Sequence, residues 1–578
     1  MGLAALLITT LGVAAPAWGA KDETFLLSRQ SPSAGGLTGD NFSGFPAISA
    51  DGNHVAFYST ASNLSTEVNT DVTASEIFVR DLVTGAISLA SRRTGTAPQQ
   101  SASGVDFSSS ISADGRYVAF ASANDDLSTE DVNGVMDVFV RDLQASTTTL
   151  VSRETGAAGT GGGAPSGDPS ISADGRYVAF RSDADNLSSA DTNAVSNVFV
   201  RDLQANTTTL VSCTTCLVAD AADAQSSQPS ISADGRRVAF MSDANNLSTE
   251  DDNGWSNVFV RDLDTSTLTL VSRASGVAGT AGGLPSDEPA ISGDGKHVAF
   301  TSFASLVPDD VNGVTKDVFL RDLQTDTTTL VSRPDTGGAD CTSTVASPST
   351  DARYVAFFSC ASNLPGVVAP SPGHVFRRDL QTGTTTLISR QSAADGDLPG
   401  TDASSYPSIS GDGRWVAFAS DANNLSALDN NGFSNVFARD LVGPPPGPPV
   451  DPGTTQSGVP GPVPAPAPTP AAPPAQPAAS APPAVAFGAV ATLPSSKACV
   501  SRRSFRIRLR KPAGATIARV VVRLNGKRAK TVTGKALTAP VDLRGLPKGR
   551  VKVDLVVTLA DGRTVRGTRT YRTCAARR

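Results

Sequence analysis

Hydrophobic and polar positions follow a pattern that recurs about every sixty residues over most of the chain. Each copy has an apolar run such as Val118-Ala119-Phe120, a second such as Val138-Phe139-Val140, and a threonine-rich run before Leu-Val-Ser. A fixed period of this length indicates a repeat architecture, which decides the fold before any other signal. The Asp of the first turn marks seven copies: Asp51, Asp114, Asp174, Asp234, Asp294, Asp351 and Asp412.

Each copy predicts four antiparallel strands. In the second copy they are Ser109–Ser112, Tyr117–Ala121, Asp137–Leu143 and Thr147–Arg153. The first two flank Asp114-Gly115, a hairpin signal that favours positive φ. The middle strands are apolar on both faces and need cover on both sides, whereas threonines suit a half-solvated outer strand. Such units, stacked face to face, predict an all-β, seven-bladed β-propeller.

The last copy has no fourth strand of its own. After Asn435–Leu441 the chain runs directly into Gly443-Pro444. The segment Thr24–Arg29, TFLLSR, is similar to the threonine-rich strands of the other copies. We therefore expect Thr24–Arg29 to pair with Asn435–Leu441 and close the ring, because closure removes exposed sheet edges.

Composition divides the chain into four parts. Residues 1–20 predict a secretory signal peptide, since Leu3–Val13 is apolar and too short to span a bilayer. Residues 21–442 predict the propeller, and residues 443–484 predict a disordered linker rich in Pro and Ala. Alternating residues in 485–578 predict a small Ig-like β-sandwich. We expect no transmembrane segment and a secreted, cell-surface or periplasmic protein.

Charge separates the two folded parts. Residues 485–578 hold 23 Lys plus Arg and 3 acids, a net charge of +20. The rest of the chain keeps 25 of the 48 basic and 52 of the 55 acidic residues, a net charge of −27. This asymmetry predicts that the C-terminal domain binds an anionic wall polymer, not nucleic acid, through Arg506, Arg508 and Arg510. A merely soluble, Arg-rich surface is the alternative.

Six cysteines in an exported chain indicate disulfides, for which fifteen pairings exist. Position in the sequence favours three pairs: Cys213–Cys216, Cys341–Cys360 and Cys499–Cys574. A redox role for Cys213 and Cys216 is the weaker alternative, because no helix follows to lower a thiol pKa. Ala352 replaces the Gly of the other six turns, which predicts a distorted turn that the Cys341–Cys360 bridge supports.

The pattern P-x-[IL]-S-x-D-G-[RK]-x-V-A-F stands at Pro169–Phe180 and Pro229–Phe240. It resembles the repeat of the TolB-like bacterial β-propellers, which are related to the WD-repeat propellers. The resemblance covers nearly three quarters of the chain and implies a propeller that binds a protein or another ligand. TolB itself has six blades and an N-terminal domain, whereas this chain has seven copies and a C-terminal domain.

Candidate chemistry is sparse. The Arg-Asp pair of every copy, such as Arg141-Asp142, is expected to fix the turn into the fourth strand. Residues that break the sevenfold pattern, chiefly Trp255, Trp415 and His374, form no triad, and there is no Gly-x-Ser-x-Gly elbow. We therefore expect a protein that is not an enzyme, and a carbohydrate-active or lyase-type propeller enzyme is the alternative.

Topology indicates which face of the propeller binds. Turns between strands one and two and between strands three and four share one face. The long connections, such as Ser122–Gly134 and Glu154–Asp168, share the other, here called the loop face. Ligand residues concentrate on loops held by a rigid scaffold. We expect an exported, envelope-associated binding protein whose loop face takes an envelope protein or a glycan.

The loops between strands two and three carry Asp-x-Asn-Gly-x-x-Asp/Asn, once with Ala for Gly. Oxygen side chains at alternate positions suit Ca²⁺, so calcium is the one candidate cofactor. Side chains that only cap their own turns are the alternative. The candidate ligands are Asp131, Asn133 and Asp137; Asp191, Asn193 and Asn197; Asp251, Asn253 and Asn257; and Asp429, Asn431 and Asn435.

Overall fold

The computed structural model describes most of the repeat region and the strands of the C-terminal part. The described ranges are 21–65, 75–95, 104–216, 220–250, 254–276, 279–334, 337–367 and 372–442, followed by 491–492, 505–509, 517–524, 527–533, 541–543, 549–559 and 564–573. The predicted signal peptide, the predicted linker, Asp251, Asn253, Cys499 and Cys574 lie outside them. The chain divides into two compact units, Met1–Thr454 and Thr455–Arg578.

The first unit is a seven-bladed β-propeller, as the sequence predicts. Every blade is a four-stranded antiparallel sheet in which strands one to four are neighbours in order. The second and third strands are buried on both faces, and a phenylalanine of each stacks on the other, as Phe120 does on Phe139 at 5.9 Å. Stacking of blades on both sides explains why these strands do not alternate in polarity.

The strands of blades one to seven have the following bounds. The first strands are Ser43–Ile48, Val105–Ile111, Ser166–Ile171, Ser226–Ile231, Ser286–Ile291, Ser343–Pro348 and Ser404–Ile409. The second strands are His54–Ser59, Tyr117–Ser122, Tyr177–Ser182, Arg237–Ser242, His297–Ser302, Tyr354–Ser359 and Trp415–Ser420. The third strands are Glu76–Asp81, Asp137–Asp142, Asn197–Asp202, Asn257–Asp262, Asp317–Asp322, His374–Asp379 and Asn435–Asp440. The fourth strands are Ile87–Leu89, Thr147–Leu150, Thr207–Leu210, Thr267–Leu270, Thr327–Leu330, Thr384–Leu387 and, for blade seven, Glu23–Leu26. Short 3₁₀ turns occupy Pro32–Ala34, Asp125–Leu127 and Ala393–Asp395.

The N-terminal strand closes the ring. Glu23–Leu26 pairs antiparallel with the third strand of blade seven, with Glu23 opposite Asp440 and Leu26 opposite Phe437. The pairing of Thr24–Arg29 with Asn435–Leu441 is therefore confirmed. Leu26 and Leu27 are buried in the cores on either side, so closure buries apolar surface as well as a sheet edge.

The first strands surround the central channel and are bonded to one another. At the tight-turn end, backbone bonds link each blade to the next, and the Gly411 N–H donates to the Ala50 carbonyl at 2.9 Å to complete the circle. A Cβ at Gly411 would lie 2.6 Å from Thr350 Oγ1 and 2.9 Å from the Ala50 carbonyl oxygen, which explains why this position is Gly. Further along, Ser408 Oγ accepts from the Ile48 N–H at 3.0 Å.

The repeated Arg-Asp pair divides its tasks. Asp202 accepts the backbone N–H groups of the turn into the fourth strand, at 2.9 Å from Gln204 and 3.0 Å from Ala205, as predicted. The arginine contacts the same turn, since Arg261 Nη1 donates to the Ser266 carbonyl at 2.9 Å, and it has a second role that the sequence did not predict. Arg201 is 1% exposed and donates at 2.7 Å to the carbonyl of Glu154, which lies in the connection from the preceding blade. The arginine thus joins neighbouring blades, because its side chain is long enough to reach the connection beside it.

The connection Glu154–Asp168 also differs from the expectation. Its first half runs along the outer edge of blade three, where the Gly156 N–H donates to the Asn206 carbonyl at 2.7 Å. Thr155 Oγ1 accepts from the Thr208 N–H at 2.9 Å in the fourth strand of that blade. This half therefore covers a sheet edge and is not a loop-face element.

Two predicted disulfides are present, Cys213–Cys216 and Cys341–Cys360. The distortion predicted for the sixth turn is not seen. Ala352 adopts φ 53°, and its N–H donates to the Ser349 carbonyl at 2.9 Å, the same bond that Gly115 makes to Ser112 at 3.0 Å. The repeat imposes the left-handed conformation even without glycine, because the surrounding strands fix both ends of the turn.

The second unit is also built of antiparallel strands. One sheet has Ala491–Thr492, Phe505–Leu509 and Val541–Leu543, and the other has Ile517–Leu524, Lys527–Thr533, Gly549–Leu559 and Thr564–Thr573. Val520, Val522, Val553, Leu555 and Val557 are buried. A β domain is therefore present, and its Ig-like sandwich arrangement stays a prediction. Within the described residues no helix is long and apolar enough to cross a bilayer.

Candidate functional site

The first strand of each blade begins at the loop face with a bulge. In six blades the bulged residue has φ of 51° or 52°, and the register to the second strand shifts there, for example between Gly167 and Ser170. A proline follows in most blades, such as Pro169, and lacks the N–H that the broken ladder would leave unpaired. These residues, the bulge ring, are Phe45, Asp168, Gln228, Glu288, Val345 and Tyr406.

The bulge ring keeps one backbone conformation while its side chains change. Left-handed φ is uncommon for residues other than Gly, Asn and Asp and is costly for a branched side chain such as Val345. Strain that six of the seven copies retain indicates a constraint on this position. Blade two differs, because its register shifts between Val105 and Ser109 and its bulge presents Asp106 and Phe107.

One side of the ring is aromatic. The Phe45 ring lies 4.2 Å from Tyr406 and is stacked on Phe107 at 5.1 Å, measured between ring centroids. Tyr58 contacts Phe107 edge-on at 5.8 Å, and Phe42 lies behind at 6.1 Å from Tyr58. Phe107 is 53% exposed and Tyr406 is 40% exposed. The channel mouth therefore offers aromatic faces to a ligand.

The opposite side is polar and held in place by the blades themselves. The Asp168 carboxylate accepts from the Gln228 N–H. Gln228 Oε1 accepts from the Glu288 N–H at 2.9 Å, and Glu288 Oε2 accepts from the Val345 N–H at 2.8 Å. Each side chain thus supports the bulge of the next blade, so the oxygens of this arc are fixed before a ligand arrives.

Charged neighbours tune the polar arc. Burial raises the pKa of Asp168, the nearby Arg181 guanidinium lowers it, and Asp106 raises it further. Arg181 Nε lies 3.6 Å from Asp168 Oδ2. Lys316 Nζ lies 2.7 Å from Asp287 Oδ1 and 3.7 Å from Glu288 Oε1. The arc therefore holds acceptors with two cations behind them, a polar wall facing the aromatic one.

The pattern-breaking residues of the sequence do not meet at this site. Trp415 is buried at the seam of blades seven and one, where its ring lies 5.8 Å from Phe25. His374 is buried at the start of a third strand, with Nδ1 3.2 Å from Ser389 Oγ. Trp255 is 48% exposed on the loop before the third strand of blade four. Sequence reasoning missed the bulge ring, although the residue before the repeated Pro changes from copy to copy.

The predicted calcium ligands lie at the loop face, where the second-to-third-strand loops meet the third strands. Asp137, Asn197, Asn257 and Asn435 each begin a third strand. Asp131, Asp191 and Asp429 are buried beside them. Within the described residues no three His, Cys, Asp or Glu side chains gather as metal ligands. Amide and backbone oxygens would have to complete any site.

No protein-family model matches the chain, and no curated protein matches it either. Among solved structures, a putative TolB from Agrobacterium tumefaciens is 15% identical with a TM-score of 0.32, over 54% of this chain and 88% of that one. A periplasmic gluconolactonase from Pseudomonas aeruginosa is 17% identical with a TM-score of 0.30, over 60% and 84% of the two chains. A puromycin-hydrolyzing peptidase from Mycobacterium tuberculosis is 14% identical with a TM-score of 0.27, over 71% and 62%.

These similarities concern the propeller fold alone. They nevertheless correct the expectation that the protein is not an enzyme, which is wrong as a deduction from the sequence. Propellers named as a gluconolactonase and as a peptidase are among the matches, so a propeller without a motif excludes no catalysis. The physical reason is that a channel mouth gathers side chains from several blades, and their spacing along the chain then carries no signature.

Proposed function

We propose that the protein is exported, associates with the cell envelope, and binds a glycan or a segment of a protein at the channel mouth. The observation that carries this proposal is the bulge ring. Its backbone is the same in six blades, and its side chains divide into an exposed aromatic wall and a fixed polar arc. Two disulfides and the apolar N-terminal segment favour export.

The chemistry of the two walls fits a ligand with an apolar face and hydrogen-bond donors. A sugar ring has both, because its C–H face stacks on aromatic rings such as Tyr406 and Phe107 while its hydroxyls donate to carboxylates. A peptide with aromatic and basic side chains meets the same requirement. Few convergent polar groups in a largely apolar concave site are typical of binding sites. Asp168, Gln228 and Glu288 supply those groups.

The C-terminal domain would then anchor the protein to an anionic wall polymer. Arg506 and Arg508 are two residues apart in the strand Phe505–Leu509, and alternate residues of a strand share a face. Exposed charges are screened by salt within about 10 Å at 0.1 M ionic strength. We therefore expect retention on anionic wall fractions to weaken steeply as salt rises. Retention that does not change with ionic strength would contradict this part of the proposal.

The binding function is tested with the full chain on a glycan array and in a pull-down from envelope extract. Replacing Phe107 and Tyr406 by Ala should lower the affinity for the ligand found at least tenfold. Phe433→Ala is the matched control, since Phe433 is a similarly exposed aromatic on the loop before Asn435. Equal binding by both variants would overturn the proposal. A turnover assay on the same ligand shows whether it is also converted.

A further inference from the structure

The first residue of the third strand takes one of two forms in five of the blades. It is Asn in blades three, four and seven and Asp in blades two and five. In both forms one side-chain oxygen accepts from a serine that follows the fourth strand, as Asn197 Oδ1 does from Ser212 at 2.7 Å and Asp317 Oδ1 does from Ser332 at 2.6 Å. The two forms therefore differ only in the other arm of the side chain, which is NH₂ in one and oxygen in the other.

In the Asn form the NH₂ group lies among three oxygens. Asn197 Nδ2 is 3.1 Å from Asp191 Oδ1, 3.2 Å from Asn193 Oδ1 and 3.2 Å from the Val195 carbonyl. Blade seven repeats the arrangement around Asn435, with the corresponding distances 3.0, 2.9 and 3.1 Å. The partly positive amide group thus occupies the centre of the oxygen cage and faces three of its oxygens, while Asp191 Oδ2 and Asp429 Oδ2 have no hydrogen-bond partner among the described residues.

In the Asp form an oxygen replaces that NH₂ group, and the cage loses its positive centre. In blade two, Asp137 is fully buried and Asp131 is 2% exposed. Neither carboxylate oxygen of Asp131 has a hydrogen-bond partner among the described residues. Two buried carboxylates without a cation are costly.

Blade five shows the same deficit. Asp310 is 7% exposed and Asp317 is fully buried. Asp310 Oδ1 and Asn312 Oδ1 have no hydrogen-bond partner within the described part of the chain. Asn312 Nδ2 donates to Asp317 Oδ2 at 2.6 Å, as Asn133 Nδ2 does to Asp137 Oδ2 at 2.6 Å. Two blades far apart in sequence therefore share a pair of buried carboxylates with unpartnered oxygens beside them.

We propose that blades two and five each bind a calcium ion in the place that the asparagine amide takes in blades three and seven. The protein ligands are Asp131, Asn133, Asp137 and the carbonyl of residue 135 in blade two, and Asp310, Asn312 and Asp317 in blade five. A mixture of carboxylate, amide and backbone oxygens is what Ca²⁺ accepts, whereas Mg²⁺ demands a near-ideal octahedron. The sites do not depend on the function proposed for the channel mouth.

The candidate ligand sets are alike in sequence but differ in whether Asn or Asp begins the third strand. The sets around Asn197 and Asn435 each have one carboxylate and an amide NH₂ group at the centre, which leaves no place for a cation, so we do not propose calcium there. Asn257 also belongs to the Asn form, and its Nδ2 donates to the Trp255 carbonyl at 3.2 Å. Blade five, whose loop between the second and third strands has one extra residue, belongs with blade two.

The test uses the full chain after removal of metal by a chelator. Calcium should raise the melting temperature, because it binds the folded state, and direct titration should give two ions per chain. Asp137→Asn and Asp317→Asn each convert a blade to the form of blade three, so both variants should fold. Each should lose one ion, and together they should abolish both the binding and the rise in melting temperature.

Asn197→Asp is the converse variant, and it should add a third ion to the titration. Equal melting of the unaltered chain in calcium and in chelator would overturn the proposal. Full binding stoichiometry in the Asp137→Asn, Asp317→Asn double variant would overturn it as well, since the ions would then lie elsewhere.

Discussion

The backbone N–H of Glu288 donates to Oε1 of Gln228, 2.9 Å away and one blade earlier. The Glu288 side chain in turn accepts from the Val345 N–H of the following blade at 2.8 Å. The polar half of the channel mouth is therefore a chain of side chains, each of which holds the backbone bulge of its neighbour. A ligand that binds there meets groups whose positions are already fixed.

Gln228→Ala should weaken the bulge of blade five. The change removes the acceptor of the Glu288 N–H, and a lost hydrogen bond of this kind costs about 1 kcal/mol of unfolding free energy. Hydrogen exchange at the Glu288 amide should accelerate relative to the unaltered chain. Tyr406→Ala is the control, because it alters the same ring position without removing that acceptor. Unchanged exchange in Gln228→Ala would show that the bulge does not need the bond.

Exchanging Gly and Ala in the first turn should have opposite effects on stability in blades three and six. Gly175 has φ 73°, and a Cβ there would overlap the Tyr117 ring. Gly175→Ala should therefore lower the free energy of unfolding by more than the roughly 1 kcal/mol that positive φ alone costs. Ala352→Gly removes such strain at φ 53° and should be neutral or stabilising. Denaturant unfolding of the two variants measures both changes, and equal destabilisation by both would contradict the account.

Stability should depend on pH through Glu76. This residue is 1% exposed, and burial raises its pKa to about 8 from an ordinary value of 4.5, while a bond from Ser91 lowers it in part. Because the folded state favours the protonated acid, this stability is complete below pH 4.5 and is lost as pH rises through about 8. The slope within that window is about 1.4 kcal/mol per pH unit.

Glu76→Gln should remove this slope and raise the melting temperature at pH 8, because the amide cannot ionise. Asp395→Asn serves as the control, since Asp395 is exposed and its replacement should leave the pH profile unchanged. Thermal unfolding of the three proteins across that pH range makes the comparison. A profile that Glu76→Gln leaves unaltered would assign the pH dependence to other groups.

Ring closure should fail when the N-terminal strand is damaged. Leu26 is 4% exposed between Val416, Phe418 and Phe437, so Leu26→Asp buries an unpaired charge and should release the strand. Deleting residues 21–30 should have the same effect. Both changes expose the third strand of blade seven as an open edge, and we expect aggregation and a lower melting temperature. Light scattering during heating measures this, and unchanged solubility in both variants would argue against closure by this strand.

Much of the fold follows from the sequence alone. The recurrence of Val-Ala-Phe and Val-Phe-Val predicts stacked sheets, because strands that are apolar on both faces must be covered on both. The missing fourth strand of the last copy and the spare Thr24–Arg29 predict closure, which the pairing of Leu26 with Phe437 confirms. These features are local or periodic, and a single copy of the repeat already contains the pattern that determines them.

The tertiary structure decided the parts that depend on neighbouring blades. Arg201 reaches a carbonyl in the connection from the preceding blade, about fifty residues earlier in the chain, and no pattern within one repeat indicates that. The bulge ring gathers Phe45 and Tyr406 from opposite ends of the propeller sequence. The cages around Asn197 and Asp137 look equivalent in sequence, and only the position of the amide group separates a cage with an NH₂ group at its centre from one with two buried carboxylates. Burial and hydrogen-bond partners belong to the assembled ring, because it is the packing of one blade on the next that removes water from these groups.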